Sequence, residues 1–141
     1  MIKAKKALTK NEVPVGAVVF NQNKVISSAY NMVICNNDPL GHAEIIALKK
    51  ATKKLKTTNL MKYSLYVTLE PCLICSYIIS KFKVGNLYFG AYDVKNGGIY
   101  NGNKFIFNEE KSYIPNIYGG IGEKESEDLL NQFFKGIRKK L

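Results

Sequence analysis

The sequence has few of the residues that would mark a secreted or membrane-bound protein. Its 141 residues include only three cysteines, and no apolar run approaches the length that crosses a bilayer. Tryptophan is absent, His42 is the only histidine and Arg138 the only arginine. No signal peptide is recognisable, since Met1 leads directly into a lysine-rich, helix-like stretch. These absences exclude a disulfide-built scaffold and a transmembrane helix, and they predict a cytoplasmic protein without a membrane partner.

The charge of the chain is strongly positive. Lysine and arginine number 21 against 11 acidic residues, which gives a formal net charge of +10. Such an excess is typical of proteins that bind a polyanion such as nucleic acid. Because nearly all of these basic residues are lysines, an A/T-rich coding bias explains the positive charge equally well, with the lysines simply spread over a solvated surface. The charge therefore indicates a nucleic acid only in combination with a site.

One imidazole, one carboxylate and two thiols occur in a pattern that suits a catalytic metal. Zinc takes four tetrahedral nitrogen or sulfur ligands, and catalytic zinc keeps one position for water. His42, Cys72 and Cys75 supply three ligands and leave the fourth position open. Glu44, two residues after the histidine, is placed to move protons at that water. Both motifs are predicted at helix N-termini, with Pro71 at the first helical position, where the helix dipole favours thiolates.

The same residues also occur in proteins of a different kind. A C-x-x-C pair alone is found in redox dithiol proteins and as half of a structural zinc site. A structural site needs a fourth protein ligand, and the spacing does not exclude Cys35 from that role. A purely structural site has no need of Glu44, which favours the catalytic interpretation.

Hydrophobic periodicity divides the chain into strands and helices. Strands are predicted at 15–20, 24–30, 64–70, 86–91 and 116–118, helices at 42–55, 71–82 and 123–140, and a polar loop with one short helix at 93–115. The C-terminal helix carries an apolar stripe that predicts core positions for Phe133 and Phe134. The alternation predicts one α/β domain over residues 1–141, with a mixed sheet covered on both faces.

Several longer motifs identify a family. They include EVPVGAV at residues 12–18 and HAEI at residues 42–45. The most specific is YVTLEPC at residues 66–72, which leads into the C-x-x-C pair ending at residue 75. Through them the chain resembles bacterial tRNA-specific adenosine deaminases of the cytidine deaminase superfamily, from about residue 7 to residue 91. The resemblance implies a three-layer α/β/α fold, with a central mixed five-stranded sheet flanked by helices. It also implies one zinc ion per subunit and a homodimer.

The reaction implied by this resemblance is hydrolytic deamination of adenosine to inosine at wobble position 34 of a tRNA anticodon loop. In that reaction zinc-bound hydroxide attacks C6 of the adenine, Glu44 shuttles protons, and ammonia leaves. The family's usual substrate is tRNA-Arg with the anticodon ACG. Residues at the family's substrate-binding positions are Asn31, Ala43, Pro71, Cys72 and Asp93. Among them, Asn31 is expected to contact the flipped base and Asp93 a ribose hydroxyl.

The end of the chain offers a further RNA contact. Lys135, Arg138 and Lys139 follow the two phenylalanines and would be able to bind phosphates, although basic helix ends also occur simply as partners of the helix dipole.

One alternative function on the same scaffold is deamination of a free nucleobase or nucleoside such as guanine or cytosine. Another is a non-catalytic zinc-binding partner subunit that contributes RNA affinity. The segment 103–121 departs from the family pattern, because it lacks the expected histidine and arginine.

Overall fold

The computed structural model describes residues 1–100 and 112–141, and its centre is a five-stranded sheet. The strands are β1 (Gly16–Asn21), β2 (Lys24–Tyr30), β3 (Ser64–Leu69), β4 (Asn86–Ala91) and β5 (Asn116–Tyr118), in the spatial order β2-β1-β3-β4-β5. β1 pairs antiparallel with β2 and β3, whereas β3, β4 and β5 run parallel. The prediction of a mixed five-stranded sheet is therefore confirmed.

Four helices flank this sheet: α1 (Ile2–Thr9), α2 (Ala43–Leu55), α3 (Leu73–Lys81) and α4 (Glu123–Lys140). On one face, buried strand residues such as Val19 and Val67 form the core with α2 and α3. On the other face α1 and α4 approach the strands closely at two glycines. A Cβ on Gly16 would lie 2.7 Å from the backbone nitrogen of Ala4, and one on Gly90 would lie 2.5 Å from Ser126 Oγ. The result is the expected α/β/α layering.

The start of α3 differs from the prediction. The helix begins at Leu73, with Cys72 as its N-cap in an extended conformation, so Pro71 lies before the helix and is not its first residue. The reason is pairing with the loop that follows β4. Gly98 donates its N–H to the carbonyl of Pro71 at 2.8 Å, and Cys72 forms an isolated β-bridge with Gly97. These contacts keep residues 71 and 72 extended.

Two other predictions concern the C-terminal third of the chain. The prediction of one short helix within 93–115 lies largely outside the described residues. The core positions predicted for both phenylalanines are wrong for Phe134, which is 46% exposed, while Leu129 is buried. The physical reason is that adjacent helix residues point about 100° apart, so Phe133 faces the groove beside α1 and Ile34 while Phe134 does not line it. None of the helices within the described residues is long and apolar enough to span a bilayer.

Candidate active site

The candidate metal ligands lie at the N-termini of two helices. His42 is the N-cap of α2 and Cys72 is the N-cap of α3, and both have extended backbone conformations. An N-cap side chain usually accepts a hydrogen bond from the first turn of its helix. His42 accepts no such bond from residues 43–46, which leaves its imidazole available for another partner, whereas the backbone N–H of Cys75 contributes to lowering the pKa of Cys72. The positive ends of two helix dipoles also favour anionic sulfur at this point.

The three predicted ligands meet in space. His42 Nδ1 lies 3.6 Å from Cys72 Sγ and 3.2 Å from Cys75 Sγ, and all three ligand atoms are within 4.8 Å of one another. A tetrahedral zinc ion with bonds of about 2.0 to 2.3 Å holds nitrogen and sulfur ligands roughly 3.5 Å apart. The donor set therefore fits zinc in chemistry and in size. Across residues 1–100 and 112–141, no further His, Cys, Asp or Glu belongs to this group, and Cys35 is exposed elsewhere.

The close contact of these groups shifts their pKa values. Hydrogen bonds from Cys75 and His42 lower the pKa of Cys72 to about 4. The hydrogen bond with Cys72 raises the pKa of Cys75, and burial raises it further. The hydrogen bond to Cys72 raises the pKa of His42. A thiolate at Cys72 is the form in which sulfur binds metals.

Glu44 lies in the first turn of α2, on the same side as the three ligands. Its side chain is only 5% exposed, and burial raises the pKa of Glu44 to about 7. Its own backbone N–H and the thiol of Cys75 act on the carboxylate in the opposite direction and lower the pKa, but burial is the largest cause. A carboxyl group with a pKa near neutrality is suited to accept and return a proton.

His42, Glu44 and Cys72 border a cavity of about 460 Å³, a size typical of small-ligand pockets, and Cys75 lies behind them. We call His42, Glu44, Cys72 and Cys75 the pocket floor. Asn31, the turn 33–37 and the loop 93–100 form the pocket rim. The lining includes the floor residues His42, Glu44 and Cys72 and the rim residues Asn31, Val33, Ile34, Asp93 and Asn96, with Val13, Val15, Leu69 and Glu70.

The five predicted substrate-binding residues fall into two groups, those that line the cavity and those that do not. Asn31, Cys72 and Asp93 are among the residues that line the cavity, and their contact with a substrate stays a prediction. Ala43 and Pro71 are buried and are not among the lining residues, so their predicted backbone contacts to substrate stay a prediction.

Two buried carboxylates that support the rim were not predicted from the sequence. Glu70 is 2% exposed and accepts hydrogen bonds from the backbone N–H groups of Asp93, Ile99 and Tyr100 at 2.9, 3.2 and 2.7 Å. Glu12 is fully buried and contacts Asn31 and the turn after it. The signal that would have found them is a single acidic residue bordering an apolar stretch, which rarely becomes buried without partners.

The predicted phosphate-binding residues lie outside the cavity. Lys135, Arg138 and Lys139 are exposed near the end of α4. The same half of α4 borders a groove together with Ile34, and Ile34 also lines the cavity. The basic end of α4 is therefore next to the pocket rim.

Known proteins share both the sequence and the geometry of this site's scaffold. Residues 1–91 match the model of the cytidine and deoxycytidylate deaminase zinc-binding region. The chain is 40% identical over 138 residues to a tRNA-specific adenosine deaminase of Rickettsia bellii, covering 96% of this chain and 95% of that protein. A structure from a study of A-to-I editing by tRNA:A34 deaminases is 36% identical, with a TM-score of 0.87 over 92% of this chain and 94% of that one.

A solved guanine deaminase bears on the free-base alternative. This protein, from Bacillus subtilis, superposes with a TM-score of 0.64 and 26% identity, over 98% of this chain and 88% of that one. Both its identity and its structural agreement are lower than those of the tRNA:A34 deaminase structure. Deamination of a free base is therefore not favoured.

Proposed function

This chain belongs to the tRNA-specific adenosine deaminase family, and we propose that it hydrolyses adenosine to inosine at the wobble position of a tRNA anticodon loop. The observation that carries the proposal is the pocket floor, where a buried glutamate adjoins a His-Cys-Cys group. A redox dithiol or a structural metal site would have no use for that glutamate. The relatives named above support the choice of tRNA adenosine as the substrate.

We propose one zinc ion per chain, held by His42, Cys72 and Cys75. Two thiolates and a neutral imidazole balance the charge of a divalent cation, and three protein ligands leave a position for water. Zinc bound there supplies Lewis acidity that makes water a nucleophile at neutral pH.

Glu44 would then move the protons of the reaction. Its carboxylate takes a proton from the water that adds to C6 of the adenine and delivers it to ring N1. It next transfers the second proton to the amino group, which leaves as ammonia when the C6–N6 bond breaks. Adenosine and water thus become inosine and ammonia. The position of Glu44 in the first turn of α2, two residues after His42, supports this role.

The rim would hold the nucleotide. Asn31 is expected to contact the base that is flipped into the cavity, and Asp93 to accept a hydrogen bond from a ribose 2′-hydroxyl. Backbone groups at Ala43, Pro71 and Cys72 would complete the base pocket. An unstacked adenosine in an anticodon loop is the substrate that costs least to flip.

The tRNA is proposed to extend from the rim along α4, where Lys135, Arg138 and Lys139 would neutralise phosphates. We place the reaction in the cytoplasm because tRNA is matured and used there, and we treat residues 1–141 as one deaminase domain.

A homodimer is the assembly we propose. Three large apolar side chains at the start of α3, next to the pocket floor, are exposed in the single chain: Leu73, Ile74 and Tyr77. Exposed apolar residues clustered on one helix are typical of interaction surfaces. Sedimentation of the wild type and of Ile74→Glu would test this face, since a charge at its centre should convert a dimer into monomers.

The activity is tested by incubating the purified protein with an anticodon stem-loop of tRNA-Arg that carries adenosine at position 34. Inosine should form with the wild type, and none with Glu44→Ala, while both proteins contain about one zinc per chain. Wild-type protein that contains zinc but forms no inosine would contradict the proposed substrate. Guanine and cytosine, assayed in parallel, would then reveal a free-base deaminase.

A further inference from the structure

Glu12 is a buried carboxylate without a cationic partner. It has no exposed surface, and no lysine or arginine of the described residues forms an ion pair with it. Burial of a carboxylate is costly unless hydrogen-bond donors compensate for the lost water. Two donors do so: Asn31 Nδ2 at 3.2 Å from Oε2, and the backbone N–H of Cys35 at 2.6 Å from Oε1. Both donors belong to the pocket rim.

The contact determines which end of the Asn31 amide faces the cavity. An amide has a donor end and an acceptor end of nearly equal size, and rotation by 180° exchanges them. A carboxylate only accepts, so the NH₂ group must point at Glu12. The backbone N–H of Asn31 is bound to the carbonyl of Val15 at 3.0 Å, which keeps the residue itself in place. Asn31 Oδ1 accepts no hydrogen bond from residues 1–100 or 112–141, and Asn31 lines the cavity.

We propose that Glu12 is a positioning residue that orients the Asn31 amide, so that its carbonyl oxygen is presented to the substrate base. This inference rests on the proposed function, because it assigns the base as the partner of that oxygen. Glu12 does not itself line the cavity. Its second hydrogen bond holds the turn 33–37, which carries the lining residues Val33 and Ile34. One buried carboxylate thus sets both the polarity and the shape of this side of the rim.

Replacement by the isosteric amide, Glu12→Gln, makes a specific prediction. The backbone N–H of Cys35 cannot turn away, so it retains the oxygen of the new amide as its acceptor. The NH₂ group of the new amide then faces the NH₂ group of Asn31, and two donors repel. The Asn31 amide is expected to rotate and to present NH₂ instead of oxygen to the base. Reversal of one buried hydrogen bond to a substrate typically costs roughly 10- to 100-fold in affinity.

A reversed pair supplies the matched control. In Glu12→Gln/Asn31→Asp the amide introduced at position 12 donates to one oxygen of the carboxylate introduced at position 31. The other oxygen of that carboxylate returns to the position facing the cavity, and the net charge equals that of the wild type. Asn31→Asp alone places two carboxylates against each other and should impair activity at least as much as Glu12→Gln. The double variant should recover most of the loss.

The four proteins are compared by steady-state kinetics on the anticodon stem-loop, with the free energy of unfolding measured by urea denaturation. Misorientation of a binding group should raise KM roughly 10- to 100-fold in Glu12→Gln, with recovery in the double variant. A merely structural role would lower kcat through loss of folded protein, leave KM unchanged, and thereby overturn the proposal. A double variant as impaired as the single ones would overturn it too.

A second readout does not depend on the reaction. The side-chain ¹H–¹⁵N signals of Asn31, assigned by their disappearance in Asn31→Asp, should include one proton shifted and protected by the carboxylate. Glu12→Gln should abolish that shift and protection. Signals unchanged by Glu12→Gln would refute the orientation of Asn31, whereas wild-type protein that makes no inosine would refute the proposed function alone.

Discussion

The pocket floor and the pocket rim use buried carboxylates in opposite ways. Glu44, in the floor, adjoins the thiol of Cys75, and burial raises the pKa of Glu44 to about 7. Glu70, at the rim, is as deeply buried but accepts three backbone N–H groups. We propose that the first group exchanges protons, whereas the hydrogen bonds of the second hold a loop.

The difference shows that burial alone does not identify a catalytic carboxylate. What distinguishes the two is the kind of donor: three backbone N–H groups of one loop bind Glu70, whereas Glu44 is reached by the thiol of Cys75 and by its own backbone N–H. The floor should therefore respond to substitution by losing chemistry, and the rim by losing stability or substrate affinity.

The largest effect is expected from removal of a proposed zinc ligand. Cys75→Ser should reduce bound zinc from about one per chain to nearly none and abolish inosine formation, because a serine hydroxyl is a poor zinc ligand at neutral pH. Elemental analysis of the purified protein measures the loss. Cys35→Ser is the matched control, since Cys35 is exposed and outside the ligand group, and it should retain zinc. Loss of zinc in the control would make Cys35 a fourth ligand.

Glu44→Gln should lower kcat by roughly 10²- to 10⁴-fold, the range that general acid–base catalysis contributes. The amide has the size of the carboxyl group but cannot accept and return a proton. Single-turnover assays on the anticodon stem-loop measure the rate, and metal analysis checks that the floor still binds zinc.

Retention of more than a tenth of the wild-type kcat in Glu44→Gln would contradict the proton-transfer role. It would also remove the functional distinction between the two carboxylates.

Glu70→Gln should act on stability rather than on chemistry. The amide has one acceptor oxygen and turns an NH₂ group towards backbone donors, which leaves at least one buried N–H unsatisfied. The expected loss in free energy of unfolding is about 2 to 3 kcal/mol, measured by urea denaturation. Amide hydrogen exchange should accelerate at Asp93, Ile99 and Tyr100, the three donors.

The same substitution on the surface, Glu127→Gln on α4, controls for the change in charge. Glu127 is exposed, so its replacement should change the free energy of unfolding by less than about 0.5 kcal/mol. Equal effects of the two substitutions would show that Glu70 does not hold the loop.

The smallest effect is expected outside both regions, at the basic end of α4. Arg138→Gln/Lys139→Gln should raise the KM for the stem-loop a few-fold and reduce the slope of log affinity against log salt by about one per charge removed. The value of kcat should not change. Lys49→Gln/Lys53→Gln on α2 removes the same charge and should leave the slope unaltered; an equal reduction there would show that only net charge matters.

Much of the fold could be predicted because its signals are local. The apolar periodicity of residues 123–140 and the alternation in residues 64–69 correspond to α4 and β3 with little error at their ends. The error at Pro71 arose because proline is favoured at the first helical position, whereas here a β-bridge from Gly97 keeps the backbone extended. Phe134 was misplaced because periodicity shows that a helix has an apolar face, but not which of two adjacent phenylalanines the neighbouring elements cover.

Part of the candidate site could likewise be predicted from local sequence signals, and part could not. The four floor residues could be proposed from residue type and spacing, and the fold brings their side chains together. Glu12 and Glu70 have no such pattern. Each is one acidic residue near an apolar strand, and only the contacts from Asn31 and from the loop 93–100 give it a role.

The sequence by itself indicated the chemistry available to this protein, because each of its two motifs is local: His42 with Glu44, and Cys72 with Cys75. The fold then had to bring the two motifs together, since His42 lies 30 positions from Cys72 and 33 from Cys75. The tertiary structure alone decided how the rim is held. Its hydrogen bonds join residues 19 to 30 positions apart, such as Asn31 with Glu12 and Tyr100 with Glu70. Such pairs meet only after the strands have taken their order in the sheet, since chain separation carries no information about which loops become neighbours.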